Sequence, residues 1–172
     1  KELRLVSSGG SALDINLLNH FQRMGVDINQ GYGSTECSPM ISLNSTSDNV
    51  LGSVGKILDC NEVKIINGEI HVSGSNVTTG YVNHFDHESF VNIYDKKWYN
   101  TGDLGHIDED GYLFITGRTK ENYKLSNGIF VNPNDVEREL LRIPGIDQAM
   151  VFGNNQDSNS AVIVSNLSVI KI

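Results

Sequence analysis

Cysteine is scarce in this sequence, and so are the features of secreted and membrane proteins. The two cysteines, Cys37 and Cys60, have no CxxC spacing, which favours reduced thiols in a cytosolic protein over a disulfide framework. No apolar run approaches the roughly 18–20 residues that a membrane span needs. The chain opens at Lys1, without a methionine or a recognisable signal peptide, in a strand-like pattern. We therefore expect part of a longer, cytoplasmic protein.

Positive charge is also scarce, with 13 Lys and Arg residues against 21 Asp and Glu residues and a net charge of −8. This balance argues against binding nucleic acid or an anionic membrane over the whole surface. A local basic site is still compatible with it, and Arg118, Lys120 and Lys124 form the densest basic group. The P-loop pattern G-x-x-x-x-G-K-[ST] is absent as well. The glycine pair before Ser11 is therefore better interpreted as a turn that passes close to a flat ligand.

The first 36 residues are predicted to form a strand, a helix and a second strand. Residues 3–7 alternate weakly in hydrophobicity and end at a glycine pair, which indicates a strand followed by a turn. Apolar residues at helical spacing follow, with Ser11 or Asp14 as the candidate cap. A short strand over Val26–Asn29 then leads into a predicted turn at Gly31–Glu36.

Hairpin signals dominate the chain from residue 53 to 116. Asn67-Gly68 lies between two apolar stretches and is the strongest short hairpin signal in the sequence. A second hairpin turn is predicted at Asp108–Gly111, and beyond this region a third at Asn127-Gly128. Many short strands with close turns are typical of a barrel-like or meandering β subdomain.

The pattern changes near Arg118, where we expect a new domain to begin. Asn132 is suited to cap a helix that has Pro133 in its first position. Two strand candidates follow, over Gln148–Phe152 and Ala161–Ser165. The fold class predicted from these patterns is α/β, and α+β within this segment, with a β-rich subdomain before a small α+β domain.

A cluster of polar and aromatic residues, Tyr32-Gly33-Ser34-Thr35-Glu36, is the first candidate site. Tyr32 could stack on a base, while Thr35 and Glu36 could face a phosphate and its Mg²⁺, which prefers hard oxygen ligands and takes few protein carboxylates. The alternative interpretation is an ordinary polar turn after a strand.

Asp103 and Arg118 form a second candidate site, near the ends of a predicted strand pair. An ionised Asp can accept hydrogen bonds from both hydroxyls of a ribose, and Arg118 can add donors that never lose their proton. Alternatively, Asp103 caps a turn and Arg118 is the solvated end of a hairpin.

Other reactive residues carry weaker signals. His84 and His87 flank Asp86, but no third ligand follows at a suitable spacing, so a solvated loop is expected. Cys37 has no nearby histidine partner that would make it a nucleophile. Trp98 is expected to pack in the core.

Several motifs follow one another along the chain: Ser8–Leu13, Gln30–Glu36, Gly52–Lys56, Gly68–Val72, Gly80-Tyr81, Trp98–Gly105, Asp108–Leu113 and Gly117–Lys120. In this order they resemble the adenylate-forming superfamily of acyl-CoA synthetases, luciferases and peptide-synthetase adenylation domains. The segment Lys124-Leu125-Ser126-Asn127-Gly128, with Val131, Pro133 and Val136-Glu137 after it, is similar to the long-chain fatty acyl-CoA synthetase branch.

The resemblance implies an enzyme that uses ATP, Mg²⁺ and coenzyme A. A carboxylate, expected to be that of a fatty acid, attacks the α-phosphate of ATP to give acyl-adenylate and pyrophosphate. The thiol of coenzyme A then attacks the mixed anhydride and releases AMP. The protein supplies positioning and charge neutralisation for both steps.

The resemblance also implies roles for individual residues. The catalytic residues it implies are Thr35, Glu36 and Lys124. Thr35 and Glu36 serve the phosphate and its magnesium ion, with Glu36 as the metal ligand, and Lys124 approaches the adenylate in the thioester-forming state. Lys120 is the hinge between a large and a small domain. The nucleotide-binding residues are Gly9, Gly10, Ser11, Gly31, Tyr32, Gly33, Ser34, Thr35, Asp103 and Arg118.

Two parts of the family pattern are missing: the Ser/Thr/Gly-rich phosphate loop and the terminal catalytic lysine, for which Lys171 lacks the flanking residues. We therefore expect residues 1–118 to be the end of the large domain, residues 119–172 to begin the small one, and this segment to be inactive alone. The alternatives are an adenylation module that loads a carrier-protein thiol and a non-catalytic nucleotide-binding module. Peripheral membrane association of the full-length protein stays open.

Overall fold

The computed structural model of the chain describes residues 5–11, 13–82 and 89–166. The chain divides into two compact units, Lys1–Thr116 and Gly117–Ile172, close to the domain boundary expected after Arg118. Their assignment to a large and a small domain stays a prediction. His84 and His87 lie outside the described residues. Within the described residues, no helix has the length and hydrophobicity needed to cross a membrane.

A four-stranded sheet begins the first unit. Its strands β1 and β2 are parallel, with helix α1 as the crossover between them, and β3 and β4 continue the sheet in antiparallel pairing. The elements are β1 Val6–Ser8, α1 Ile15–Arg23, β2 Ile28–Gly33, β3 Met40–Leu43 and β4 Lys56–Ile57. The predicted turn at Gly31–Glu36 was partly wrong, because β2 continues through Gly33 to pair with β3. The chain reverses instead through a short 3-10 helix, Thr35–Cys37.

Helix α1 begins at a side-chain cap. The Asp14 carboxylate accepts hydrogen bonds from the backbone N–H groups of Asn16 (2.8 Å) and Leu17 (3.3 Å). Asp14, and not Ser11, is therefore the cap, an arrangement that contributes about 1 kcal/mol to helix stability. Leu18 is the buried residue of this helix.

A five-stranded antiparallel sheet forms the rest of the first unit. Strand β8 is its longest strand and pairs with β6, β7 and β9, and β5 forms the other edge next to β6. Asn67 and Gly68 both have positive φ, as the tight hairpin turn predicted there requires. The strands are β5 Asn61–Ile66, β6 Glu69–Gly74, β7 Phe90–Ile93, β8 Lys96–Ile107 and β9 Leu113–Arg118.

The core of the first unit lies between its two sheets. It is built from Cys37, one residue of β3 and several residues of the five-stranded sheet: Ile41, Ile70, Val72, Tyr99 and Leu113. Trp98 is also buried, as expected of a packing residue. Cys37 and Cys60 are both free thiols, which agrees with the absence of a disulfide framework.

The second unit contains two hairpins and one helix. The hairpins are antiparallel, and the first turns at the predicted Asn127-Gly128. The Asn132 side chain caps helix α2 by accepting from the Asn134 N–H (3.2 Å), and Pro133 occupies its first turn. The elements are β10 Tyr123–Lys124, β11 Phe130–Val131, α2 Pro133–Leu141, β12 Ile146–Phe152 and β13 Ser160–Ser165. The predicted fold class is confirmed: a β-rich first unit precedes a small α+β unit.

Candidate functional site

The parallel pairing of β1 and β2 brings two of the predicted motifs together. Ser8 is paired with Gln30, so the residues that follow them, Gly9 and Gly31, lie side by side. A Cβ atom on Gly9 would lie 3.4 Å from the Gly31 carbonyl oxygen. The Gly9–Ser11 turn is exposed at this end of the sheet. A flat ligand placed here would meet backbone instead of side chains.

Tyr32 connects this sheet edge to the second candidate site. Its hydroxyl donates a 2.6 Å hydrogen bond to Oδ2 of Asp103, 71 positions further along the chain. Burial raises the pKa of the Tyr32 phenol well above its ordinary value, and the Asp103 carboxylate raises it further. The phenol therefore remains a proton donor at all physiological pH values and holds the Asp103 carboxylate in place.

A bulge in β8 presents Asp103 to Tyr32. Glu69 is paired with Leu104 and His71 with Asn100, so β8 has two more residues than β6 between these pairs. Bulges of this kind redirect side chains and are common beside functional sites. The sequence predicted a turn or a ribose ligand at Asp103, but not an excess of residues inside a long strand.

Two residues of the bulge fix its shape. The buried Thr101 hydroxyl donates to the Ile70 carbonyl oxygen (2.9 Å) and accepts from the Asp103 N–H (3.1 Å). Gly102 has φ +71°, a left-handed conformation that costs a residue with a Cβ about 1 kcal/mol. Thr-Gly-Asp is thus a structural unit that orients the Asp103 backbone.

The turn after β2 carries Thr35 and Glu36. A Cβ atom on Gly33 would overlap the carbonyl oxygen of Pro39, so the close approach of the returning chain requires glycine there. Ser34 precedes the 3-10 helix, in which Thr35 is exposed and Glu36 is half-buried. The glycine in this motif therefore has a structural cause, and of the polar residues beside it Thr35 is exposed to a ligand, whereas the Ser34 hydroxyl is buried.

Tyr81 was not among the candidate site residues predicted from the sequence. Its hydroxyl donates a 2.6 Å hydrogen bond to Oε1 of Glu36. Burial alone would raise the pKa of Glu36, but hydrogen bonding, led by that from Tyr81, outweighs burial and holds this pKa below its ordinary value. The Gly80-Tyr81 motif was a signal for this residue, although it gave no indication of the partner.

The basic candidates lie in the second unit, which begins at Gly117 within β9. Arg118 ends β9, and its carbonyl oxygen accepts from the N–H groups of Glu121 and Asn122 (both 3.3 Å), which closes a turn through the exposed Lys120. The exposed Lys124 has its Nζ 5.2 Å from the centre of the Phe130 ring. The roles of these three cations at a nucleotide stay predictions.

A magnesium ion fits Glu36 as a single protein ligand. Within the described residues, no group of three or more His, Cys, Asp and Glu side chains is placed to bind a metal ion. Mg²⁺ is usually held by one or two carboxylates together with water and substrate phosphates. An ionised, oriented carboxylate such as Glu36 matches that donor set.

Comparison with known families identifies the class of protein. The family model described as AMP-binding enzyme matches residues 1–82, which include the Gly9–Ser11 turn, Tyr32 and Glu36. The chain belongs to this family of adenylate-forming, AMP-binding enzymes.

Two relatives show the range of enzymes that the chain is similar to. It is 35% identical over 161 residues to the long-chain-fatty-acid–CoA ligase FadD15 of Mycobacterium bovis, covering 93% of the chain and 26% of that protein. It is 34% identical over 167 residues to the 2-succinylbenzoate–CoA ligase of Bacillus pumilus, covering 90% of the chain and 34% of that protein. The chain thus spans about a quarter to a third of the length of these relatives.

Solved structures of o-succinylbenzoate CoA synthetase from Bacillus subtilis share the fold. The complex with the acyl-adenylate intermediate OSB-AMP has a TM-score of 0.83 at 30% identity, covering 95% of this chain and 37% of that one. The complex with ATP and a magnesium ion has a TM-score of 0.80 at 31% identity, covering 94% and 36%.

Proposed function

We propose that the full-length protein is an ATP-dependent carboxylic acid–CoA ligase that activates its acid as an acyl-adenylate. The observation that carries this proposal is the Tyr32–Asp103 hydrogen bond of 2.6 Å beside the Gly9–Ser11 turn. It joins an aromatic ring, an oriented carboxylate and an exposed backbone turn, which are complementary to a base and its ribose. The solved complexes of a relative with ATP and with an acyl-adenylate support the same assignment.

The candidate residues of the first unit bind either the nucleoside or the phosphates in this proposal. Tyr32 and the Gly9–Ser11 turn enclose adenine, and Asp103 accepts from the ribose hydroxyls. Each hydrogen bond to the charged carboxylate is worth about 1.5–3 kcal/mol. Thr35 and Glu36 face the phosphates, and a magnesium ion bound there would neutralise charge on the leaving pyrophosphate.

The basic residues of the second unit serve the same nucleotide in different steps. Arg118 adds fixed donors to the ribose. Lys120 is the hinge, and Lys124 approaches the adenylate when the thioester forms. Their exposure and the turn at Lys120 are compatible with a part of the molecule that moves between the two half-reactions.

We further propose a fatty or other apolar acid as the substrate and coenzyme A as the acceptor. The Lys124–Gly128 motif, similar to the long-chain branch, and the relationship to FadD15 support this choice. The 2-succinylbenzoate ligase, which is 34% identical, is named for a different acid, so the test uses a panel of acids.

Pyrophosphate release by the full-length protein tests the proposal. The protein is given ATP, Mg²⁺ and a panel of fatty, aromatic and short acids, and the reaction is then completed with coenzyme A. We expect acid-dependent pyrophosphate release that is greatest for a fatty acid, followed by formation of the CoA thioester. Asp103→Ala should abolish most of this activity, while Asp110→Ala, in an exposed hairpin turn of the same unit, should not.

Three results would contradict the proposal in different ways. Pyrophosphate release without any dependence on acid would exclude acid activation. Adenylate formation without transfer to coenzyme A would favour a carrier-protein acceptor. ATP binding without turnover of any acid would favour the non-catalytic alternative.

A further inference from the structure

The segment Asn76–Tyr81 holds the turn that carries Glu36. The Asn76 side-chain amide donates to the carbonyl oxygens of Cys37 (2.6 Å) and Met40 (3.0 Å). The Thr78 N–H donates to the Glu36 carbonyl oxygen (2.7 Å). Together with the Tyr81 hydroxyl, these donors fix both the backbone and the side chain of Glu36.

The Tyr81 ring is itself positioned by an aromatic cluster. Its centroid lies 6.2 Å from that of Phe90 in an edge-on arrangement, and Phe90 lies 5.4 Å from Tyr99. Lys97 places its Nζ 4.2 Å from the Phe90 ring centre and donates to the Thr79 carbonyl oxygen (2.5 Å). Ring packing therefore directs the Tyr81 hydroxyl toward Glu36 from outside the Tyr32–Glu36 cluster.

We propose that Tyr81 is a positioning residue that orients the Glu36 carboxylate for the magnesium–phosphate group of ATP. The inference rests on the proposed function, since it assigns Glu36 to that group. A glutamate side chain has three rotatable bonds, and the hydrogen bond at Oε1 restricts the last of them. The carboxylate is then presented in one orientation before the nucleotide arrives, which reduces the ordering required on binding.

Tyr81→Phe in the full-length protein is the direct test, because it keeps the ring against Phe90 and removes only the hydroxyl. Calorimetry measures ATP binding with and without Mg²⁺, and pyrophosphate release measures the Mg²⁺ concentration for half-maximal activity. We expect about tenfold weaker Mg²⁺-dependent binding, corresponding to one charge-assisted hydrogen bond, and a similar increase in the Mg²⁺ requirement. Binding of AMP without metal should not change.

Two further variants separate positioning from general structural damage. Tyr94→Phe is the matched control, because Tyr94 is a 93% exposed tyrosine in the turn between β7 and β8, where the Lys64 Nζ lies 5.5 Å from its ring centre. In a Tyr81→Phe/Glu36→Gln double variant, the loss should equal that of Glu36→Gln alone, since Tyr81 acts through Glu36. Additive losses, unchanged Mg²⁺ dependence in Tyr81→Phe, or full Mg²⁺ dependence in Glu36→Gln would each overturn the proposal.

The binding experiment also separates this inference from the proposed function. It needs ATP and Mg²⁺ but no acid and no acceptor thiol. If no acid is activated while Tyr81→Phe still weakens Mg²⁺-dependent ATP binding, the ligase proposal fails and the positioning role stands. If acids are activated normally by Tyr81→Phe at low Mg²⁺, the positioning role fails and the ligase proposal stands.

Discussion

The acidic candidates of the first unit and the basic candidates of the second are held in different ways. Asp103 and Glu36 each accept a 2.6 Å hydrogen bond from a tyrosine hydroxyl that comes from a distant part of the chain. Lys120 and Lys124 are exposed, one in a turn and one on a two-residue strand. Under the proposed function, this difference leads us to expect preorganised binding in the first unit and a step that requires movement in the second.

The largest effect is expected when the carboxylate that accepts from the ribose is removed. In the full-length protein, Asp103→Ala should weaken ATP and AMP binding by about 2–4 kcal/mol, the loss of two charge-assisted hydrogen bonds with partial relaxation. Binding of 2′-deoxy-ATP should suffer less, because one of those bonds is already absent. Calorimetry with both nucleotides measures the difference, and equal losses would mean that Asp103 does not contact the 2′-hydroxyl.

Lys120→Pro tests the proposed hinge in the second unit. Proline fixes φ near −65°, so a hinge at Lys120 would be trapped in one of its two arrangements. We expect near-normal adenylate formation and about a tenfold or greater loss of thioester formation, measured as separate half-reactions, a difference of about 1.4 kcal/mol or more. Lys120→Ala should be mild. Equal damage to both half-reactions would instead indicate local unfolding and remove the hinge assignment.

A smaller effect is expected when Asp103 is kept and only the bulge that positions it is disturbed. Gly102→Ala and Gly111→Ala both place a Cβ at positive φ, +71° and +87°, with open space around it. Each should lower the free energy of unfolding by about 1 kcal/mol. Only Gly102→Ala should also weaken AMP binding, because its bulge orients Asp103. Equal AMP affinities in the two variants would show that Asp103 is positioned without the bulge.

The smallest effect concerns mild acid, to which only the first unit should respond. Residues 117–172 contain no histidine, whereas burial lowers the pKa of His71 below 6.5, with Glu69 opposing it. The unfolded chain therefore binds this proton first, and stability should fall as the pH decreases from about 6.5 toward the folded-state pKa. Denaturation of the full-length protein at several pH values should show a flatter profile for His71→Gln, and an unchanged profile would assign the response elsewhere.

Local features of the fold could be predicted from the sequence. The hairpin turn at Asn67-Gly68 follows from the ease with which these residues take positive φ, and helix α2 begins at Asn132 and Pro133 for reasons contained in one turn of chain. Trp98 was correctly expected in the core. These signals are short-range, so a linear pattern carries them.

Pairings between distant residues could not be predicted. The contact between Tyr32 and Asp103 spans 71 positions, and that between Tyr81 and Glu36 spans 45. Strand β3 was missed because its apolar pair Met40-Ile41 is too short to show a period. The extension of β2 through Gly33 was missed for a related reason, since a glycine-rich stretch signals a turn until a neighbouring strand pairs with it.

The two-residue excess in β8 has a consequence for exchanging segments between relatives. Side chains alternate along a strand with a period of two, so an excess of two leaves the same faces inward on both sides of Thr101–Asp103. A chimera whose junction adds or removes two residues there would keep Tyr99 and Gly105 facing as they do now. A junction that changes the length by one residue would exchange the buried and exposed faces of one half of the strand. Parity, more than length, is what recombination at this position must conserve.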